Sequence, residues 1–193
     1  KNMKTIYLMR HGQTLFNVMK LNQGQCDSPL TEAGIEQAKN AGKWYQDHGI
    51  TFDAVYSSSS ERACDTAELA SNHMPYARLK GLKEIYLGTW EASSIVKNPE
   101  YPYGDYFIKY GGESLDQVTE RIYHTIHELA EADNGNTILI VSHGLSIRRF
   151  LEKIGYRGLE REFIGNCGIV ELQYKNDIFT VKQVVNVNPE KPE

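Results

Sequence analysis

The sequence predicts an α/β fold on a mostly parallel sheet that ends in an antiparallel hairpin. Three observations predict it. Strand and helix signals alternate along the chain. Two apolar runs, Ile6-Tyr7-Leu8-Met9 and Ile138-Leu139-Ile140-Val141, each lead into a histidine followed by glycine, His11 and His143. Two more strand-like runs flank the turn triplet Lys175-Asn176-Asp177 near the C-terminal end.

The elements follow in order. Residues 5–9 read as the first strand. Asp27-Ser28-Pro29-Leu30-Thr31 is a turn into a helix capped by Thr31, with Ile35, Ala38, Gly42 and Tyr45 on its apolar face and Gly49 as its stop. Residues 52–57 form the second strand, and Ser59 or Ser60 caps the helix that carries Arg62, Thr66 and Leu69. Residues 77–82 are a weaker strand that ends near Glu84. Ser114 and Gln117 begin a capping box, after which Leu115, Val118, Ile122, Ile126 and Leu129 recur at helical spacing. Residues 137–141 are the strongest strand, and residues 145–154 the helix behind it. Residues 169–174 and 178–185 pair as the hairpin, and residues 188–193 are a polar tail. With no internal repeat and no linker, residues 1–193 are expected to form a single domain.

Composition narrows the function classes. A net charge of −4 does not favour nucleic acid or an anionic membrane surface. No run is apolar for long enough to cross a bilayer, and the start lacks the apolar region of a signal peptide. Cys26, Cys64 and Cys167 are scattered and make no disulfide framework, so a reducing, cytoplasmic compartment is expected. An anionic substrate would have to be met by local positive charge. That draws attention to Arg10 and Arg62.

One segment breaks the alternation. Residues 88–112 hold Trp90, Tyr101, Tyr103, Tyr106, Phe107 and Tyr110 among glycines and prolines. A long aromatic insertion of this kind is expected to form a lid or a pocket wall rather than only a self-packed loop.

In an open parallel sheet, residues just past the carboxyl ends of strands gather at one edge, where ligands bind. His11, Arg10 and His143 are placed to meet there. Neutral imidazole is a good nucleophile toward phosphorus, and guanidinium matches phosphoryl oxygens with forked donors at any working pH. A protonated second histidine would add a donor and a charge. A departing alkoxide needs a proton, and Glu84 is the acid best placed by topology.

The chain resembles the histidine phosphatase superfamily, in its phosphoglycerate mutase-like branch. The matching stretches are Leu8-Met9-Arg10-His11-Gly12-Gln13-Thr14 with Asn17, Gln23-Gly24, Asp27-Ser28-Pro29-Leu30-Thr31, Ser57-Ser58, Arg62-Ala63 and Thr66-Ala67-Glu68. They continue with Leu82-Lys83-Glu84-Ile85, Gly88, Trp90-Glu91, Gly112-Glu113-Ser114 and Val141-Ser142-His143-Gly144. The resemblance runs from Thr5 to about Phe150 in family order. It implies a three-layer sandwich with helices on both faces of the sheet. It implies His11 as the nucleophile that becomes phosphohistidine and Glu84 as general acid, then base. It makes Arg10, Arg62 and His143 the phosphoryl ligands, with Asn17, Gln23, Gly24 and Gly144 as further phosphate or substrate contacts. The carbonyl of Gly12 is the expected acceptor for the other ring N–H of His11. No metal and no cofactor is called for, and the partner is a small phosphorylated metabolite.

Three positions depart from the family pattern. Leu21 stands where many members have arginine, Ser59-Ser60 replaces a frequent Pro-Leu, and Ala92 stands where glycine often follows Trp-Glu. Hydrolysis through phosphohistidine is the favoured activity. Phosphoglycerate mutase activity is the nearest alternative, and a catalytically silent phospho-ligand module the next. The mutases carry an insertion with paired arginines; residues 88–112 have none. Cys64 is expected to be a small buried residue, and Arg148 and Arg149 to pair with acids. His124 and His127 are read as a solvated helix face, since no third metal ligand is suggested.

Overall fold

The computed structural model describes residues 3–189. Lys1, Asn2 and the end of the polar tail lie outside the described residues. Six strands form one sheet: β1 (Lys4–Arg10), β2 (Ala54–Ser58), β3 (Ala77–Leu79), β4 (Thr137–Ser142), β5 (Ile169–Lys175) and β6 (Ile178–Val185). Their order is β3-β2-β4-β1-β5-β6. The first four run parallel, and β5 and β6 are antiparallel to their neighbours. The expected mostly parallel sheet and C-terminal hairpin are therefore present.

Among the described residues five α-helices accompany it: α1 (Leu15–Met19), α2 (Glu32–Asp47), α3 (Glu61–Ala70), α4 (Leu115–Ala132) and α5 (Gly144–Lys153). Side chains of a strand alternate between faces, and this alternation divides the core in two. Ile6, Leu8, Ile138 and Ile140 pack with Ile122, Ile126, Ile147 and Phe150 from α4 and α5. Tyr7, Met9, Leu139 and Val141 pack with Ala38, Ala41, Tyr45, Ala63 and Ala67 from α2 and α3. Helices thus cover both faces. The central strands are apolar at nearly every position because neither face meets water.

Caps and turns follow the local chemistry. Thr31 Oγ1 accepts from the Gly34 N–H at 3.0 Å, and Ser114 and Gln117 form the reciprocal capping box. Asn176 and Asp177 take positive φ values of 51° and 66°, as a two-residue hairpin turn requires.

Other expectations are corrected. Ser60 does occupy the N-cap of α3, but its hydroxyl makes no cap bond. Ile35 is exposed, because the buried stripe of α2 runs through Gly34, Ala38, Ala41, Gly42 and Tyr45. The weak strand stops at Leu79 and gives way to a 3₁₀ turn through Leu82. Helix α1 is not anticipated in the sequence reading at all. Thr14 and Asn17 cap it reciprocally, and none of its residues is buried.

The aromatic segment forms a third small core. Trp90, Tyr101, Tyr103, Tyr106, Phe107 and Tyr110 pack with Ile85, Leu87, Leu115, Val118 and Leu145. Its rings meet mainly edge to face, with Trp90 touching Tyr106, Phe107 and Tyr110. Among the described residues, no helix is long and apolar enough to cross a membrane.

Candidate active site

Three neighbouring strands end together. The register pairs Arg10 of β1 with Ser142 of β4, and Ser57 of β2 with Val141 of β4. His11, Ser58 and His143 therefore leave the sheet side by side. The rings of His11 and His143 lie 5.2 Å apart, edge to face. His11 is 4% exposed, His143 0% and Arg62 1%.

His11 Nδ1 donates to the Gly12 carbonyl at 2.8 Å, as expected. A carbonyl only accepts, so Nδ1 carries the proton and Nε2 keeps its lone pair. Burial, then the Arg62 and Arg10 charges, hold His11 well below the usual imidazole range. The ring is a neutral imidazole in a cationic setting.

His143 is also held well below that range, by burial, then Arg62, His11 and Arg10, with Arg121 contributing least. This direction runs against the expected protonated second histidine, because a further charge is disfavoured beside Arg62 and Arg10. His143 Nε2 lies 2.7 Å from Ser58 Oγ, and His143 Nδ1 is buried with no hydrogen-bond partner among the described residues.

Arg62 is clamped by a loop. Its Nη1 donates to the Cys26 carbonyl at 2.9 Å and to Asp27 Oδ1 at 2.8 Å, and its Nη2 donates to the Gly24 carbonyl at 2.7 Å. Arg62 Nε is buried and unpartnered among the described residues. Two buried nitrogens, Arg62 Nε and His143 Nδ1, thus belong to the cluster around His11 and have no protein partner among the described residues. A buried donor without an acceptor, as Arg62 Nε is, is costly, and a phosphoryl oxygen is the acceptor that suits it.

Arg10 donates from Nη1 to the Ile164 carbonyl at 3.0 Å. It lies across Gly144, where an added Cβ would come within 3.1 Å of Arg10 Nε. Glycine at this position lets the guanidinium pass over the start of α5. Arg10 and Gly144 also line a cleft of about 410 Å³ together with Leu145, Arg148, Phe163 and Ile164.

Glu84 is 7% exposed and sits at the N-terminus of α5. Its Oε1 accepts from the Ile85 N–H, the Ser146 N–H and the Ser146 hydroxyl, at 3.0, 3.0 and 2.9 Å. Its Oε2 accepts, among the described residues, only from the Leu145 N–H, at 3.0 Å. Oε2 is therefore the oxygen with room for a proton shared with a ligand. Burial, then the nearby Glu84 carboxylate, push the Tyr103 phenol up, and the aromatic insertion packs on Ile85, the residue after Glu84.

The remaining predicted contacts take other tasks. Gln23 is used at both ends: Nε2 donates to Thr14 Oγ1 at 2.9 Å, and Oε1 accepts from the Ser28 hydroxyl at 2.5 Å. The Gly24 N–H donates to Glu91 at 2.9 Å while its carbonyl receives Arg62. Gln23 and Gly24, expected as substrate contacts, are thus also loop supports. Asn17 Oδ1 accepts from the Thr14 N–H at 3.0 Å and from Asn166 Nδ2 at 3.4 Å, so its NH2 is the end that can donate.

Several positioning residues escape the sequence reading. Ser58 orients His143, and Ser146 orients Glu84. Thr66 accepts from the Gly12 N–H at 3.1 Å and donates to the Arg62 carbonyl at 2.7 Å, tying the chain beside His11 to Arg62. Glu91 accepts from the N–H groups of Gly24, Gln25, Cys26 and Leu87, and so shapes the clamp on Arg62. Arg121 is the fifth. A cation at the border of an otherwise apolar helical stripe, beside Val118 and Ile122, is the signal that could have found it.

Cys64 is buried, as expected. Arg148 pairs with Glu152, and Arg149 with Glu152 and Asp116. The absence of a further ligand near His127 is corrected: its Nε2 lies 2.5 Å from Asp177 and 3.9 Å from Glu131, whereas His124 pairs with Glu128. The hairpin brings Asp177 to a helix far away in sequence. The patch is exposed and lies away from the edge that holds His11.

A neutral buried imidazole among arginines, at the carboxyl edge of a parallel sheet and near a held carboxylate, defines a phosphoryl-transfer type of site. The comparisons agree: the chain belongs to the histidine phosphatase superfamily (branch 1), whose family profile matches residues 6–187. It is 31% identical to the broad-specificity phosphatase YOR283W of Saccharomyces cerevisiae over 96% of this chain and 86% of the yeast protein. It is 32% identical to the adenosylcobalamin/alpha-ribazole phosphatase of Escherichia coli over 72% of each chain. Among solved structures, the phosphoglycerate mutase from Bacillus anthracis superposes with a TM-score of 0.80 at 28% identity, covering 94% of this chain and 92% of that one.

Proposed function

We propose that this protein is a metal-independent phosphatase that hydrolyses a small phosphorylated metabolite through phosphohistidine at His11. One observation carries the reading: His11 is buried, neutral, locked to Gly12 through Nδ1, and set among Arg10, Arg62 and His143.

In the first step the Nε2 lone pair of His11 attacks phosphorus and the bond to the leaving oxygen breaks. Glu84, in its acid form, gives its proton to that oxygen. Arg10, Arg62 and His143 hold the three equatorial oxygens and spread their charge. In the second step water attacks phosphorus as Glu84 takes its proton. The P–N bond breaks, its electron pair returns to His11 Nε2, and phosphate leaves. The two arginines supply the positive charge a metal would otherwise bring.

Hydrolysis is favoured over return of the phosphoryl group to a second substrate oxygen. The cations of residues 88–112 are Lys97 and Lys109, and Lys109 lies over the rings of Tyr106 and Tyr110 at 4.6 and 5.4 Å. That leaves no arginine pair there to retain a phosphorylated, carboxylate-bearing intermediate. We read the same segment, which packs against Ile85, Leu87 and Leu145, as one wall of the leaving-group pocket.

A panel of phosphate monoesters assayed in excess chelator tests the reading. Phosphate release that persists with chelator and vanishes in His11→Ala supports it. Release that needs a divalent metal, or that survives His11→Ala, overturns it. Interconversion of phosphoglycerates without phosphate release would assign the mutase instead.

A further inference from the structure

Glu84 lies on chain that no ladder fixes. β3 ends at Leu79, and a 3₁₀ turn and irregular chain carry the acid. A general acid must nevertheless meet the leaving oxygen within hydrogen-bond reach. Its carboxylate rests on the start of α5, and its main chain is held from a third element, α4.

Arg121 of α4 does the holding. Its Nη1 donates to the carbonyls of Gly81 at 3.1 Å and Lys83 at 2.7 Å, and its Nη2 donates to the carbonyl of Glu84 itself at 3.2 Å. The same guanidinium forks onto Glu113 through Nε and Nη2 at 3.0 and 2.8 Å. Glu113 Oε1 in turn accepts from the Tyr86 N–H at 2.8 Å. The bonds therefore reach the main chain on both sides of Glu84. Helix α4 is a stiff mount, because Leu115, Val118, Ile122 and Ile126 bury it in the core.

We infer that Arg121 is a positioning residue for Glu84, required in proportion to the leaving group's need for a proton. This rests on the phosphatase reading above. An arginine that only supported the fold would matter equally for every ester. One that places the acid matters for alkyl esters, whose alkoxide cannot depart unprotonated. It matters little for 2,4-dinitrophenyl phosphate, whose phenolate departs as a stable anion. Misplacing a reacting group by about 1 Å costs on the order of 100-fold in rate.

The test is kcat/KM for glycerol phosphate and for 2,4-dinitrophenyl phosphate in wild type, Arg121→Met, Arg121→Lys and Glu84→Gln, with thermal melts of each. This parameter covers steps up to leaving-group departure, so later hydrolysis of phosphohistidine does not mask the effect. Arg121→Met is expected to lose on the order of 100-fold on the alkyl ester and less than about threefold on the aryl ester. Arg121→Lys should recover part of the alkyl activity, and Glu84→Gln should show the same split more strongly. Equal losses on both esters, or no loss on either, overturn the inference. If Arg121→Met does not fold, Glu113→Gln weakens the same fork and must show the split in milder form. Wild-type protein inactive on both esters, or His11→Ala active on them, would instead overturn the phosphatase reading itself.

Discussion

The two halves of the site are held by different means. The phosphoryl half stands on strand ends: Arg10, Ser58 and Ser142 finish β1, β2 and β4, and His11 and His143 follow directly. The acid half stands on irregular chain, with Glu84 tied by α5 amides and by the carbonyl contacts of Arg121. A ladder fixes the first half through main-chain register. Long side-chain bonds fix the second. On the mechanism proposed above this division suits the chemistry: the nucleophile and the phosphoryl ligands need the tightest placement, whereas the acid must serve the leaving group.

Predictions that break or sharpen this contrast begin with the largest effect. His11→Ala should lower kcat/KM by about 10⁴-fold or more on every ester, since removing a nucleophile leaves only binding and charge stabilisation. Loss on aryl and alkyl esters alike marks the phosphoryl half; a leaving-group-dependent loss would contradict it.

Next comes Arg62→Ala. It strips Asp27 and two loop carbonyls of their partner as well as a phosphoryl ligand. Stability should fall by about 3 kcal/mol, the scale for breaking a buried pair, with a rate loss near 10³-fold. Denaturant melts and initial rates measure both. A rate loss with unchanged stability would mean that the clamp is not formed.

Acid should weaken the phosphoryl half in particular. The folded pKa values of His11 and His143 lie below the unfolded value of about 6.5. As pH drops through that value the unfolded chain binds protons that the folded chain refuses. Stability is therefore full above it and falls below it, by up to about 1.4 kcal/mol per pH unit for each histidine. Urea midpoints across pH 5–8 for wild type and His11→Gln/His143→Gln measure the slope. A double variant as acid-sensitive as wild type would refute the assignment.

The smallest effect lies beside the clamp. Ala92 has a φ of +63°, a conformation that costs a non-glycine residue about 1 kcal/mol. Ala92→Gly should raise stability by about 0.5–1 kcal/mol and leave kcat unchanged. A lower melting temperature would show that the strain is not there.

The same contrast explains what could be read in the sequence. The phosphoryl half is legible because a strand that stops at Arg10-His11-Gly12 writes its register and chemistry in consecutive letters. The alternation of Ile6 and Leu8 against Tyr7 and Met9 likewise encodes both core faces. The supports of the acid half are not legible. Arg121 meets Glu84 only after α4 packs on the sheet, a separation of 37 residues. Glu91 reaches Gly24 across 67. Gln23 and Gly24 match the motif, but their hydrogen bonds are spent inside the protein, and spacing alone does not reveal that. Helix α1 is not legible because one reciprocal cap at Thr14 and Asn17 is a short signal without a buried face.

The most direct test is to trap the intermediate. Protein mixed with a ³²P-labelled monoester, quenched within the first turnovers and digested, should carry label on the peptide that contains His11. That label should survive alkali and be lost in mild acid, and Glu84→Gln should accumulate more of it from an aryl ester. Label on any other residue, or turnover without label on His11, contradicts the account.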